Sequence, residues 1–279
     1  MKFTCHMMLN RTLLGLLLVV FWGCGGEGPV TSGPTTTNEE ASTDPSEEKS
    51  TTAQKEDSRP VYEEIDRTRA GKVLASNIVK LNLKTAGLAI YSFHDTYEQF
   101  PVGESPVINY RNGQPLLSWR VHVLPFMDEE VAKLYSQFKL DQPWDSPDNL
   151  KMLDQIPKVY QNQDYKGLGS HTTVLAINGP GAVFNPSEKL HMRDVTDGTS
   201  QTVLVINAGP DKAVPWTKPQ DLTYQPNAIL KSLGDVNDPF MVMFADGAIY
   251  PVRKTVDERM LLKMFQRNDG KFLVREELK

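Results

Sequence analysis

Cysteine is almost absent from this 279-residue chain, and its two cysteines, Cys5 and Cys24, both lie near the amino terminus. The rest of the sequence therefore has no thiol for a disulfide or for a cysteine-based zinc site. A surplus of basic residues is also missing, since 30 Lys and Arg stand against 35 Asp and Glu. Because nucleic-acid binding depends on cations that face phosphates, this composition argues against a nucleic-acid partner.

The sequence patterns of common catalytic sites are missing as well. There is no HExxH, CxxC or GxSxG pattern, and the glycines at 179 and 181 lack the spacing of a phosphate-binding loop. After residue 30, no two histidines lie within five positions of each other, and we expect each to make ordinary surface or core-edge hydrogen bonds. These histidines are His94, His122, His171 and His191. The sequence therefore predicts a noncatalytic protein without a histidine-based metal site.

The amino terminus has the features of an export signal. An apolar run of ten residues at 13–22 follows Lys2 and Arg11, and it is much shorter than the roughly 20 residues that span a bilayer. Gly23-Cys24-Gly25-Gly26 then resembles the lipobox of bacterial lipoproteins, whose cysteine is acylated and becomes the first mature residue. We expect residues 1–23 to be a signal peptide and Cys24 to be lipidated. A conventionally cleaved signal and an uncleaved anchor remain as alternatives.

An acidic segment separates this signal from the rest of the chain. Residues 24–58 contain eight acidic and two basic residues, and Val30 is the only sizeable apolar side chain between residues 25 and 60. Such a sequence cannot bury enough surface to offset its chain entropy, so we expect residues 24–60 to form a disordered tether. The sequence thus predicts an exported protein anchored by lipid in the cell envelope, at the periplasmic face or the cell surface.

Apolar residues at helical spacing predict a long helix between Tyr62 and Tyr97 that ends before Phe100-Pro101. Two interleaved rows together suggest a broad apolar face packed on a large surface. Gly87 lies within this helix and is expected to permit close packing. The rows are Leu74, Ile78, Leu81, Thr85 and Leu88, and Val79, Leu83, Ala86, Ile90, Phe93 and Tyr97.

A series of motifs in this region resembles the DUF1559 family, which is abundant in planctomycete bacteria and related to type IV pilins and type II secretion pseudopilins. The resemblance covers roughly residues 76–273. Its motifs are the stretch at residues 82–97 with Phe100-Pro101, Ser118-Trp119-Arg120-Val121, Leu124-Pro125-Phe126, Pro143-Trp144-Asp145-Ser146-Pro147, Asp197-Gly198-Thr199-Ser200-Gln201-Thr202, Pro215-Trp216-Thr217-Lys218-Pro219 and Phe244-Ala245-Asp246-Gly247.

The resemblance implies an α+β, pilin-like fold for residues 61–279, in which one long amino-terminal helix packs on an antiparallel β-sheet with short added helices and long loops. Two family features are absent from the sequence. The prepilin leader and its long apolar helix are replaced by the lipoprotein-like signal and the tether. Val236 stands where many members have a histidine, ten residues before the Asp246-Gly247 pair. Assembly of filaments through an apolar helix is therefore not expected.

Local signals predict the smaller elements of this module. Short helices are expected at 119–124 after Ser118, at 128–138, at 147–153 after Ser146, and at 256–265 after Thr255 or Asp257, although a strand remains an alternative at 119–124. Strands are expected at 172–177, 202–206, 240–244 and 248–252. The last two flank Asp246-Gly247, a pair that favours a hairpin with a type I′ turn.

One carboxylate-rich loop is a candidate metal site. Asp141, Asp145, Asp148 and Asn149 place oxygen ligands at spacings that suit calcium. This loop is also similar to a loop of major pseudopilins, a family with a structural calcium site nearby. The alternative is structural, with Ser146 or Asp145 capping a helix and Trp144 filling the core. For residues 194–200 a hydrogen-bonded turn is favoured over a binding role, and for Trp216 a buried anchor is favoured over an exposed platform.

Together these features predict a membrane-tethered envelope lipoprotein with a noncatalytic structural or binding module. Besides the lipid anchor, envelope proteins are its expected partners, and calcium is the one cofactor that the sequence leaves open. Two alternative functions remain. The protein is an accessory component of a type II secretion or pilus-like system, or it is an envelope carbohydrate-binding protein or enzyme that uses the loops at 141–149 and 194–200.

Overall fold

The computed structural model describes residues 60, 62–103 and 105–278. The predicted signal peptide, Cys24 and the tether up to residue 59 lie outside the described residues. The helices are α1 (Arg69–Tyr97), α2 (Trp119–His122), α3 (Glu129–Tyr135), α4 (Pro147–Leu150), α5 (Ile229–Leu233) and α6 (Glu258–Phe265). The strands are β1 (Glu63–Glu64), β2 (Tyr110–Arg111), β3 (Gln114–Pro115), β4 (Tyr165–Lys166), β5 (His171–Thr172), β6 (Val174–Asn178), β7 (Val203–Asn207), β8 (Val214–Pro215), β9 (Leu222–Thr223), β10 (Phe240–Phe244) and β11 (Ile249–Val252).

The central sheet has five strands in the order β11-β10-β7-β6-β9. The first four pair antiparallel, as predicted, whereas β9 pairs parallel with the end of β6. The sequence did not predict β9, because a two-residue strand carries no periodicity of its own. Three short antiparallel pairs, β1-β4, β2-β3 and β5-β8, lie outside this sheet.

Both faces of the sheet are covered, which produces three layers. In β10 the side chains of Met241 and Met243 belong to the core cluster under α1. The alternate residues Phe240, Val242 and Phe244 belong to a second cluster formed with α5 and α6. Because successive residues of a strand point to opposite faces, β10 joins the two cores and is buried along its whole length. The α+β class and the long amino-terminal helix are therefore confirmed.

Close contact between α1 and β10 depends on Gly87. A Cβ atom added at this residue would lie 2.2 Å from Met243 Sδ, far inside contact distance. The glycine therefore allows the helix backbone to approach the sheet, as the sequence predicts, despite its low helix propensity. The helix begins after Thr68, whose hydroxyl accepts a hydrogen bond from Gly71 N at 3.3 Å.

Only one of the two apolar rows of α1 is buried. Val79, Leu83 and Ile90 are at most 7% exposed and face the sheet. Leu74, Leu81 and Leu88 are 58%, 64% and 54% exposed. The prediction that both rows form one packed face was therefore wrong. The sheet covers a limited arc of the helix, and the row with Leu74, Leu81 and Leu88 lies beyond the edge of the sheet.

The predicted short elements are present with small changes at their ends. Ser118, Asp128, Ser146 and Asp257 cap α2, α3, α4 and α6. The hairpin between β10 and β11 is present, but Phe244 N bonds Ala248 O, so the loop has three residues. Gly247 has a positive φ of 78° and Asp246 does not, so a type I′ turn is absent. In the described part of the chain, none of the helices is both long enough and apolar enough to cross a membrane.

Candidate functional site

A cavity of about 230 Å³ opens beside α2, at the edge strand β9 of the sheet. Ser118 begins α2 by accepting a hydrogen bond from Arg120 N at 3.2 Å. This cap sets the first turn so that Trp119 and His122 both line the cavity. Its apolar walls are formed by the remaining aromatic, aliphatic and proline side chains, and polar groups lie among them. The full lining is Pro101, Val102, Ile108, Tyr110, Gln114, Pro115, Leu117, Trp119, His122, Asn178, Phe184, Pro186, Pro219, Gln220, Asp221 and Thr223.

Arg120 holds the wall of this cavity from inside the protein. Its side chain is fully buried, and its Nε donates to the carbonyl of Trp216 at 3.0 Å. Nη1 contacts Asp221 Oδ1 at 2.8 Å, and three further backbone carbonyls accept from the two terminal nitrogens. Since a guanidinium has five N–H donors, every donor is satisfied. The three carbonyls belong to Val174, Lys218 and Gln220.

Asp221 links this buried cation to α2 and to the sheet. Its Oδ1 also accepts hydrogen bonds from Trp119 Nε1 at 3.0 Å and from Ala176 N at 2.9 Å. One carboxylate oxygen therefore fixes the indole of Trp119, the guanidinium and the backbone of β6 at the same point. These shared contacts hold the wall in one position within the fold. They also stabilise it, because removal of either charge would leave the other without its partner.

His122 is the least satisfied polar group in the cavity. It is 2% exposed, and neither ring nitrogen has a hydrogen-bond partner. Desolvation by burial lowers the pKa of its imidazole to about 4, so the ring is neutral at pH 7. A neutral imidazole has one donor and one acceptor nitrogen, and leaving both unpaired in the interior is costly. Both nitrogens are shielded from solvent, so the ring leaves unused hydrogen-bonding capacity just inside the wall of the cavity.

The combination of apolar walls and a few polar groups is typical of small-molecule sites. Trp119 and Phe184 stand 5.6 Å apart between ring centroids and provide aromatic surface. The arrangement can bind and orient a one-ring molecule.

Sequence reasoning placed His122 among ordinary hydrogen-bonding histidines, and this expectation was wrong for His122. A buried residue without partners cannot be recognised from spacing, because the burial comes from segments that are distant in the chain. Asp221 was not singled out at all. Its one local signal was an acidic side chain just after the Pro215–Pro219 motif, which is too common a pattern to indicate a site.

The predicted calcium loop is organised around Asn149. This side chain is fully buried, its Oδ1 accepts from Lys139 N at 2.9 Å, and its Nδ2 lies 3.0 to 3.1 Å from three backbone carbonyls. Asp148 pairs with Lys151 at 2.7 Å, whereas Asp141 and Asp145 are exposed. Ser146 caps α4, as the structural alternative predicts.

Over residues 60, 62–103 and 105–278, no group of three or more His, Cys, Asp or Glu side chains is placed to hold a metal ion. A calcium site at Asp141, Asp145, Asp148 and Asn149 stays a prediction. Thermal melting with and without millimolar calcium tests it, and an unchanged melting temperature would exclude it.

The other predicted site features have structural contacts. Asp197 accepts hydrogen bonds from Asp269 N at 2.7 Å and Gly270 N at 2.8 Å, which ties the loop at 194–200 to the end of the chain. Trp216 is fully buried, and its Nε1 donates to Leu153 O at 3.0 Å. The buried-anchor interpretation of Trp216 is therefore confirmed. Trp144 is half-buried and lies against Lys218, whose Nζ is 5.4 Å from the ring centroid.

The protein is therefore an α+β module with a small cavity, lined by polar and apolar groups, at the edge of its sheet. The model of a family described as "Protein of unknown function (DUF1559)" matches residues 80–161, which confirms the DUF1559 resemblance over that part of the chain. The matched segment contains most of α1 and the cavity wall from Pro101 to His122, whereas Asp221 lies outside it. No curated protein and no solved structure matches the chain.

Proposed function

We propose that this protein is a lipoprotein tethered to a membrane of the cell envelope, and that its DUF1559 module binds a small ligand without transforming it. The observation that carries the binding role is His122, a buried and unpartnered imidazole that lines a cavity of about 230 Å³. The tether and the lipid anchor are supported by the sequence of residues 1–60.

The ligand class follows from the lining. A single aromatic or aliphatic ring matches the size of the cavity and can pack against Trp119 and Phe184. A hydroxyl on that ring can either donate to the acceptor nitrogen of the neutral imidazole of His122 or accept from its N–H group. The proposed ligand is therefore a small amphipathic molecule with at least one hydroxyl group.

Benzyl alcohol and toluene are suitable probes, because they share a ring and differ in the hydroxyl. We expect the wild-type chain to favour benzyl alcohol, and we expect His122→Phe to lower the ratio of the two affinities about fivefold. Titration calorimetry or ligand-observed NMR measures this ratio. His171→Phe, which lies outside the cavity lining, is the control. An unchanged ratio in His122→Phe would contradict the proposed role of the imidazole.

The anchor needs a separate experiment. Cys24→Ala should move the protein from the detergent-rich phase to the aqueous phase in a detergent phase separation, and it should release the protein from membranes after a high-salt wash. Cys5→Ala is the matched control, since it removes a cysteine inside the predicted signal peptide. Full membrane retention of Cys24→Ala after the wash would exclude lipidation at this residue.

A second candidate function, carbohydrate binding, is favoured by one further observation. Trp144 and Lys218 line an open groove of about 1030 Å³ on the side of the module near β8 and α5. An indole at the wall of a wide groove can stack on sugar rings. Trp144→Ala should then weaken retention on immobilised envelope polysaccharide, and equal retention of this variant would count against the idea.

A further inference from the structure

The exposed leucines of α1 form a surface that the fold itself does not use. We define the α1 outer row as Val73, Leu74, Leu81 and Leu88, which are between 54% and 64% exposed. The leucines recur every seven residues, so they lie along one side of the helix. The half-buried Ile78 and Thr85 lie between the leucines on the same side of the helix, and an exposed apolar patch is a common feature of interaction sites.

Positive charge accompanies this row on the flank of the same helix. A shallow cavity of about 560 Å³ is lined by four cations, and Val73 belongs both to this cavity and to the α1 outer row. From Arg69 to His94 the helix contains no acidic residue. Arg67 donates to the carbonyl of Gln163 and interacts electrostatically with Asp164. Among the described residues, none of the other three cations forms an ion pair with a carboxylate. The lining is Arg67, Arg69, Lys72, Val73, Ser76, Asn77 and Lys80.

The charge pattern discriminates between possible occupants. A second copy of α1 would bring like charges together, and the helix has no acidic side chains beside the row to pair with them. A free anion could occupy the cationic cavity but would leave the leucines exposed to water. A helix face with leucines and with lysines and arginines at its flank instead matches an anionic bilayer, which offers apolar chains beneath a layer of phosphates.

We propose that α1 binds the surface of an anionic phospholipid membrane, with the phosphates in the cationic cavity and the α1 outer row at the acyl boundary. Arg69 begins the helix eleven residues after the acidic segment at 24–58. This contact goes beyond the proposed anchor and the proposed ligand cavity. It depends on lipid charge, whereas an acyl anchor does not.

A fluorescence experiment on the full chain tests the proposal. In a Cys5→Ser/Cys24→Ser background, Asn77→Cys provides one labelling site on the exposed side of α1 for an environment-sensitive dye. Phe272→Cys, at a side chain that is 82% exposed elsewhere, provides the matched control. We expect a blue shift and a rise in emission at position 77, and not at 272, on phosphatidylglycerol vesicles. About 1 M salt should abolish it, because the Debye length then falls to about 3 Å.

Charge variants sharpen the test. Each cation near an anionic surface contributes a factor of about five to the partition constant, so Lys72→Glu/Lys80→Glu should lower it by about 25-fold or more. Lys189→Glu/Lys231→Glu changes the same net charge at exposed lysines away from α1 and should leave the constant unchanged.

Three outcomes would overturn the proposal. An equal response on phosphatidylcholine vesicles would exclude a charge-dependent contact. A response that grows with protein concentration without vesicles would indicate a second copy as the occupant. A full response to inorganic phosphate alone would reduce the surface to a small-anion site. Because the background lacks Cys24, none of these results depends on lipidation of the chain.

Discussion

Burial of a guanidinium is tolerated only where all its donors find acceptors, and Arg120 meets this condition with contacts to four carbonyls and one carboxylate. Arg120→Met would remove every donor and leave Asp221 without its cation. We expect the free energy of unfolding to fall by about 3–5 kcal/mol. Urea denaturation followed by circular dichroism measures this loss. Arg253→Met replaces an exposed arginine and should change stability by less than about 0.5 kcal/mol. A similar loss in both variants would contradict the role of Arg120.

His122 should make stability depend on pH. Its folded-state pKa is about 4, below the ordinary value of 6.5, so between these values the unfolded chain binds a proton that the folded protein excludes. Stability is therefore lost as the pH falls through this window. From pH 7 to pH 5 the contribution of His122 amounts to about 2 kcal/mol.

The difference between the wild type and His122→Phe isolates this effect from the titration of the carboxylates. Free energies of unfolding measured at pH 7 and pH 5 should fall about 2 kcal/mol further in the wild type than in the variant. Parallel pH profiles for the two proteins would show that the imidazole is protonated as easily in the folded state as in the unfolded chain.

At the scale of elements, the short distance between α1 and β10 depends on the absence of a side chain at Gly87. Gly87→Ala should raise helix propensity by about 1 kcal/mol, but its methyl group would collide with Met243. We expect net destabilisation of about 1–3 kcal/mol. Met243→Ala removes the obstructing side chain, so Gly87→Ala should be less destabilising in the Met243→Ala background than in the wild type. A double-mutant cycle measures this coupling. Additive effects of the two changes would show that the helix and the strand are not in close contact here.

The elements that the sequence predicted well are those with local causes. Ser118, Asp128 and Ser146 each precede the helix that they cap, and the spacing of Val79, Leu83 and Ile90 is visible in the chain. The features it missed have distant causes. Asp221 contacts Arg120 across 101 residues, and exposure of the α1 outer row depends on how far the sheet extends. Periodicity identifies that row as apolar, but it does not indicate whether another part of the protein packs on it.

For the whole molecule, the shared sheet predicts cooperative unfolding. Met241 and Met243 belong to one core cluster, and Phe240 and Val242 to the other, so neither cluster can lose its order without disturbing β10. In a Trp22→Phe background, the three remaining tryptophans report on the α1 side of the sheet. Tryptophan fluorescence and far-ultraviolet circular dichroism should then give coincident urea midpoints. Two separated transitions would show that the layers unfold independently.

The hydrogen bonds of Arg120 also determine when the cavity can exist. They join α2 to β6 and to residues 216–221, which are up to 101 positions away, and contacts of such separation form late because a long loop must close first. A partly synthesised or unfolded chain therefore lacks the cavity. If the chain crosses a membrane before it folds, the cavity does not exist during export, and the proposed ligand would come from the compartment in which folding is completed.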